Sequence, residues 1–482
     1  MASESPRMFE KKEGTSDKFW EISLDGGSHT VRYGRVGTDG QSKTKDFDTE
    51  DKARKSYEKL IGQKTGKGYA EVTGNADSRQ EKAKASQAQA KEREPFIKAI
   101  LDDPDDMTSY MVFADWLEDQ DDAQGELIRI QWQLEDENLK AAERKKLAAR
   151  EKVLLKAHQS VWLDDLAEDL IGQKGPEDLL WGARRKFYDW EMGRGFLDSL
   201  NVAYLLPGFA KTLKKSPLVS TMRRLTIRHP SNSWDLEEID EYAETEWDED
   251  DAPSLKMLNG AKFSNMRHFE VSEQESQSCH CSATSVHNLI KLMPRLETLQ
   301  LDAHDVNIGA IFRLKCPELR SLTLQHTADR HPLETLAKNT SFSKLESLYL
   351  WPHAMDHDAE GAYIDFKGLK ALCASKNLPA LKHLSLYLTD VGDKGVAELV
   401  KSPLFQQLQT LRLVYGIVTD AGVDTLCEHD LNHLETLDLS GNYITRDGVS
   451  KLKQAYPKVG AGEQHTGEPT DEYEYLWNGD IE

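Results

Sequence analysis

The chain has 482 residues, of which 38% are hydrophobic and 30% charged, a balance that fits a soluble globular protein of about two to four domains. No run approaches the roughly 18 consecutive apolar residues of a membrane span, and the first residues lack the basic and apolar regions of a secretory signal. Five cysteines argue for a reducing compartment, so a cytoplasmic protein is expected. The net charge of −22 argues against a whole-surface nucleic-acid binder. Residues 1–75 hold 14 Lys+Arg against 13 Asp+Glu, leaving 47 against 70 in the remainder. Phosphate contacts are therefore expected from the N-terminal piece, because the rest repels a polyanion.

Residues 8–74 read as a small α+β unit. Phe19-Trp-Glu-Ile-Ser-Leu24 alternates apolar and polar residues, which puts Trp20, Ile22 and Leu24 on one face of a strand. Asp25-Gly-Gly27 supplies a hairpin turn, and Val31-Arg-Tyr-Gly-Arg-Val36 is the return strand. Asp39-Gly40 turns the chain again before a strand in which Lys43, Lys45 and Phe47 share a face. Asp48 or Thr49 caps a helix whose Ala53, Tyr57, Leu60 and Ile61 recur at helical spacing, and Gly66 and Gly68 end it.

Lys18-Phe-Trp-Glu-Ile22, Tyr33-Gly-Arg-Val-Gly-Thr38, Gly40-Gln41, Lys45-x-Phe47, Ala53 and Lys64-x3-Gly68-Tyr69 together resemble the WGR domain. That family occurs in poly(ADP-ribose) polymerases, where it contacts DNA ends, and in bacterial proteins. The resemblance implies that Tyr33, Gly34 and Arg35 contact nucleic acid, with Lys43 and Lys45 placed to meet phosphates. Tyr33 stands where the tryptophan of the motif belongs; it keeps a flat ring for stacking but covers less area. The competing reading is architectural: Gly34 and Gly37 serve turns, and Arg35 holds the sheet to the helix.

Ser78–Lys91 is rich in Ala, Gln and Lys without apolar periodicity and reads as a linker. Next comes a helical segment. Phe96, Ile97, Ile100 and Leu101 form one apolar stripe, ended by Asp102-Asp-Pro104. Met107, Met111, Ala114 and Leu117 form a second stripe, and Leu127, Ile130 and Leu134 a third. Tyr110-x-x-Phe-Ala-Asp-Trp-Leu-Glu118 and Gly125-Glu-x-Ile-Arg-x-Gln131 resemble a short module that precedes repeat arrays in some bacterial proteins. Such a module can cap the open end of a solenoid.

From about residue 195 to 455 the pattern L-x-x-L-x-L recurs, as Leu296/Leu299/Leu301, Leu319/Leu322/Leu324, Leu345/Leu348/Leu350, Leu381/Leu384/Leu386, Leu408/Leu411/Leu413 and Leu434/Leu437/Leu439. Degenerate copies stand at Leu197/Leu200/Val202, Met222/Leu225/Ile227 and Met266/Phe269/Val271. The last three strong copies agree further: Val391, Val418 and Ile444, then Gly395-Val396, Gly422-Val423 and Gly448-Val449, then Leu399, Leu426 and Leu452 fall in register. Final strand leucines at 386, 413 and 439 give periods of 27 and 26 residues, enough for a strand, a turn and a helix. These residues resemble the ribonuclease-inhibitor-like subclass of leucine-rich repeats. The asparagine often found three residues past the strand appears as Asn442, with Thr389 and Gly416 in its place elsewhere.

The pattern turns the later leucines into the core, so the residues between and after them face the concave side. One row then reads Gln300, Thr323, Tyr349, Ser385, Arg412 and Asp438, and the next Asp302, Gln325, Trp351, Tyr387, Val414 and Ser440. Tyr349, Trp351, Tyr387 and Arg412 cluster mid-surface, and aromatic residues and Arg are enriched at binding hot spots. The competing reading packs each ring on its neighbour or on an insertion at 353–367.

Asp235–Ala252, with eleven acidic residues, has no EF-hand spacing and reads as a solvated loop. Cys279-His280-Cys281, near His268 and His287, lacks the spacing and the second pair of a structural zinc site. No P-loop, G-x-S-x-G, H-E-x-x-H or Rossmann fingerprint is present. No cofactor, metal or enzymatic activity is therefore expected.

The expected architecture is α/β: a WGR-like domain (1–76), a linker (77–93), a helical module (94–158), a leucine-rich-repeat solenoid with the 235–252 insert (159–456) and an acidic tail (457–482). Parallel strands line its concave face and helices its convex face. A bacterial, non-enzymatic adaptor is expected, with a protein partner on the repeats and nucleic acid or a second protein on residues 1–76. The alternative is a DNA-binding regulator acting mainly through the WGR-like domain.

Overall fold

In a computed structural model of the protein, which describes residues 6–13, 16–35, 40–72, 91–173, 186–230, 254–272, 281–327, 329–353 and 363–467, the strands form one sheet of five and one of ten. The chain divides into two compact units, Met1–Gly172 and Gln173–Glu482.

The small sheet has the order β4-β3-β2-β1-β5, built from β1 (Arg7–Glu13), β2 (Ser16–Asp25), β3 (Ser28–Arg35), β4 (Gln41–Asp46) and β5 (Ala70–Glu71). All pairings in it are antiparallel. Trp20, Ile22 and Leu24 are buried on one face, as their alternation requires, and they meet Ala53 and Tyr57 of α1 (Glu50–Gly66). Thr49 rather than Asp48 is the cap, accepting from the Lys52 N–H at 3.3 Å. Phe9 of β1 completes the core, its ring 5.5 Å from that of Trp20. Neither β1 nor β5 is evident from the sequence, because β1 is lysine- and glutamate-rich and β5 has two residues.

The same unit contains helices at 91–102, Met107–Asp119, Gln124–Leu134, Ala141–Trp162 and Ala167–Gly172. Asp106 caps the second, accepting from the N–H groups of Thr108 and Ser109. Met107 does not join the buried stripe and is 55% exposed. Tyr110, Phe113, Ala114 and Leu117 form it, at the same helical spacing one turn further in. Helix continues well beyond 158, to Gly172.

The ten-stranded sheet runs in sequence order through β6 (Tyr188–Gly193), β7 (Phe196–Tyr204), β8 (Arg224–His229), β9 (His268–Ser272), β10 (Thr298–Asp302), β11 (Ser321–Thr327), β12 (Ser347–Pro352), β13 (His383–Thr389), β14 (Thr410–Gly416) and β15 (Thr436–Asp438). From β7 onward each strand pairs in parallel with the next. β6 departs from the expected all-parallel sheet. It pairs antiparallel with β7 across Arg194 and Gly195, both at positive φ, the backbone of a type I′ hairpin.

One leucine-type position per repeat falls in register, as Leu225, Phe269, Leu299, Leu322, Leu348, Leu384, Leu411 and Leu437, and every member is buried. Each such side chain contributes about 1.5–3 kcal/mol of burial. The helices Phe366–Cys373, Gly392–Val400, Asp420–Cys427 and Arg446–Ala455 follow β12 to β15 and pack on one another. Carboxylates tie consecutive repeats together. Asp393 accepts from the Thr419 N–H and hydroxyl (2.8 and 2.7 Å), and Asp420 does the same from Thr445 (2.8 and 2.6 Å). A Cβ on Gly448 would collide with the Asp420 carboxylate, which explains the glycine that recurs there. Asn442 is fully buried; its amide donates to the Leu413 and Leu439 carbonyls and accepts from the Val418 N–H. Residues 460–465 close the far edge, with Gly460 N–H on Leu437 O and His465 N–H on Asn442 O.

The acidic segment 235–252, Cys279, His280 and residues 468–482 of the acidic tail lie outside the described residues.

Candidate functional site

The strand face of the repeats carries the two predicted rows. Cα pairing aligns Gln300, Thr323, Tyr349, Ser385, Arg412 and Asp438 in one line. Asp302, Gln325 and Trp351 align in the next, as do Tyr387 and Val414. The rows are not wholly open: Ser385 and Val414 are 4% and 5% exposed, covered by their larger neighbours. Tyr349, Trp351, Tyr387 and Arg412 are half-buried, so each keeps an accessible edge.

These side chains meet. The Trp351 and Tyr387 rings stack at 4.4 Å with 16° between planes, and Tyr349 lies 5.1 Å from Tyr387. Tyr415, which neither predicted row includes, extends the platform, with its ring 6.4 Å from Trp351 and its hydroxyl donating to Glu463 at 3.3 Å. Its backbone explains the omission. Two residues past the final strand leucine, His326, Leu388, Tyr415 and Gly441 all adopt positive φ, so the strand alternation no longer applies there. Gly441 also lies against the Tyr415 ring, where a Cβ would clash. The insertion reading holds in part, since Tyr363 and Tyr443 form a buried cluster against which Trp351 and Tyr415 pack.

Burial pushes the Tyr349 phenol above the usual tyrosine range, with Tyr387 adding to it and the Arg412 charge opposing it. Arg412 stands opposite Asp438 in register, yet Asp438 instead accepts from the Ser440 N–H and hydroxyl (3.0 and 2.6 Å). The Arg412 side chain has no ion pair or hydrogen bond among the described residues. A guanidinium beside an aromatic platform, without a carboxylate, can take a carboxylate or carbonyl from outside. A third row was missed by the leucine pattern: Thr298, Ser321, Ser347, His383, Thr410 and Thr436 precede the inward residues. Apart from His383 its side chains are small and hydroxylic, and the His383 ring nitrogen meets the Thr410 hydroxyl at 3.0 Å.

On the small sheet, Lys43 and Lys45 are exposed on the edge strand β4, which is exposed along its whole length. Neither forms an ion pair among the described residues. Tyr33 is opposite Gln41 in the pairing, but it is half-buried and packs on the core beside Trp20. Gly34 lies in β3 opposite Phe19, so it occupies a strand position rather than a turn. Arg35 ends β3; its side chain, like Val36–Asp39, lies outside the described residues. Lys64 packs on this unit's aromatic side chains. Its ammonium lies 5.8 Å from the Trp20 ring and 4.9 Å from the Tyr69 ring, and burial, then Lys67 and Lys18, lowers its pKa.

Among the described residues no group of three or more His, Cys, Asp and Glu has metal-binding geometry, and no helix is long and apolar enough to cross a membrane. Burial pushes the Cys316 and Cys373 thiols up to about 11, away from nucleophilic use.

Residues 5–76 match the WGR domain, and residues 430–453 match a Leucine Rich repeat. A stretch of 56 residues is 48% identical to YfeS, an uncharacterized protein of Escherichia coli (strain K12), covering 12% of this chain and 23% of that protein. The chain thus spans less than a quarter of that relative. A crystal structure of a Bacteroides fragilis protein covers 96% of this chain, and 98% of its own, at 15% identity and a TM-score of 0.37, too low to support an argument. The chain carries an N-terminal WGR domain and a leucine-rich-repeat array, domain types that point to interaction with nucleic acid or protein.

Proposed function

We propose that the protein is a non-enzymatic adaptor whose strand face, centred on Tyr349, Trp351, Tyr387 and Arg412, binds a protein partner. The observation that carries this reading is the half-buried arginine without a carboxylate beside a stacked aromatic platform. A partner segment that lays an apolar side chain on the Trp351–Tyr387 stack and a carboxylate or carbonyl against Arg412 satisfies both groups at once. Rigid rings contribute contact area at small entropy cost, and the ladder beneath them is already ordered.

Affinity capture from the native cell tests this, with the full-length wild type, Trp351→Ala and Arg412→Ala as baits. Proteins retained by the wild type are expected to drop at least tenfold with either variant, a loss of about 1.4 kcal/mol or more. An unchanged set of retained proteins would discard the strand face.

The second reading, a regulator contacting nucleic acid through residues 1–76, draws on the exposed Lys43 and Lys45, which form no ion pair among the described residues. The matching WGR domain supports it. Lysines on an open sheet edge also block edge-to-edge pairing, and that role needs no nucleic acid.

A further inference from the structure

The helices Ile308–Ile311 and Leu333–Leu336 have four residues each, whereas those at the same place in the last four repeats have eight to ten. Short helices cannot fill the space between adjacent repeats, and a cleft of about 730 Å³ opens there, lined by Arg313, Lys315, Lys338, Thr335 and Thr340 among others. It is an open groove rather than an enclosed cavity, so a ligand held there keeps part of its surface in water.

Among the described residues no Asp or Glu lines this cleft, although the whole chain carries a net charge of −22. Arg313, Lys315 and Lys338 form no ion pair among the described residues. Other cations of the same unit do: Arg320 pairs with Glu346, Lys344 with Glu318 and Lys451 with Asp424, at 2.6–2.7 Å. The base of the cleft is held fast. The Asn339 amide donates to the carbonyls of Phe312 and Leu314 at 2.9 Å, and the Ser341 hydroxyl donates to Leu314 at 3.0 Å. One Arg313 nitrogen is tied to the Gly309 carbonyl at 2.8 Å, leaving its other donors for a ligand.

We propose that this cleft binds a compact, multiply charged phosphate compound, such as a pyrophosphate or a small bisphosphate. Three cations answer several negative charges, and the threonine hydroxyls add donors suited to phosphate oxygens. The lining ring, Phe312, is buried and offers no stacking face for a base. The surrounding negative charge opposes an extended polyanion, so a small ligand is favoured over nucleic acid.

Calorimetric titration of the full chain with inorganic pyrophosphate at low salt tests the proposal. Saturable one-to-one binding is expected, weakened tenfold or more in Arg313→Ala and again in Lys338→Ala. Lys344→Ala, which removes a paired cation outside the cleft, is expected to bind as the wild type does. All three sites are exposed, so unchanged thermal melting verifies folding. No saturable binding, equal binding by Arg313→Ala and Lys338→Ala, or citrate binding as tightly as pyrophosphate would each overturn the assignment.

Discussion

In the small sheet β2 and β3 form a local hairpin, and a residue's fate depends on which edge its strand occupies. Lys43 and Lys45 share the core-facing side of the sheet with Val31 and His29, yet they stay exposed because β4 has no outer neighbour. In the large sheet each parallel strand pairs with an equivalent strand about one repeat away, and position within the repeat decides burial. Leu348, Leu384 and Leu411 are all inside, while Tyr349 and Arg412, one residue on, keep an outer edge. Repetition thus makes side-chain placement readable, whereas an irregular sheet hides it in its edges.

Three variants sharpen this contrast, and a fourth tests its pH limb. The largest effect is expected from Leu384→Ala, which opens a cavity in the middle of the ladder. It should cost about 2–5 kcal/mol in urea unfolding of the second unit. A cost below about 1 kcal/mol would mean that the ladder does not carry the stability assigned to it.

His331 gives the pH limb. It is buried in the second unit, its Nδ1 donating to the Asp329 carbonyl at 2.9 Å and its Nε2 3.2 Å from the Thr327 hydroxyl. Burial lowers its pKa from 6.5 to about 4. The unfolded chain therefore binds a proton that the folded chain refuses between those values, and stability falls as pH drops through that window. About 3 kcal/mol should separate pH 7 from pH 4 through this group. His331→Gln should remove that slope, and identical pH profiles for the two proteins would contradict the assignment.

Asn442→Ala removes the buried amide's bonds to the Leu413 and Leu439 carbonyls and from the Val418 N–H, and should cost about 1–3 kcal/mol. Thermal unfolding of the second unit measures it, and an unchanged melting temperature would deny the asparagine a structural role. The smallest effect on stability belongs to the edge of the small sheet. Lys43→Ala with Lys45→Ala should change stability by no more than about 0.5 kcal/mol. If residues 1–76 contact duplex DNA, the pair should lower the salt dependence of binding by about 0.9 for each phosphate left without its lysine. Fluorescence anisotropy with a 5′-phosphorylated duplex reads this, and an unaltered slope would exclude both lysines.

Much of the repeat architecture was legible, including the degenerate early strands, because burial repeats every 26 or 27 residues around 386, 413 and 439. The first predicted surface row aligns throughout, since parallel pairing preserves position there, while the second aligns only as Asp302–Gln325–Trp351 and Tyr387–Val414. Tyr415 escaped because a left-handed residue breaks the alternation, and β6 because a single antiparallel strand has no repeat to announce it. Phe9 escaped for a different reason: its strand, Arg-Met-Phe-Glu-Lys-Lys-Glu, shows one apolar pair among charges. The groove at Arg313 arises from short helices; the 23 residues between Leu301 and Leu324 mark the shorter repeat, but leucine spacing says nothing of which cations line it.

Hydroxyl-radical footprinting of the full chain, with and without a protein captured by the wild type, tests the central claim most directly. Oxidation of Tyr349, Trp351, Tyr387 and Tyr415 should slow when the partner is bound, while Tyr33 and Tyr69 of the first unit should react as before. Unchanged oxidation of the four rings, with protection appearing elsewhere, would contradict the account.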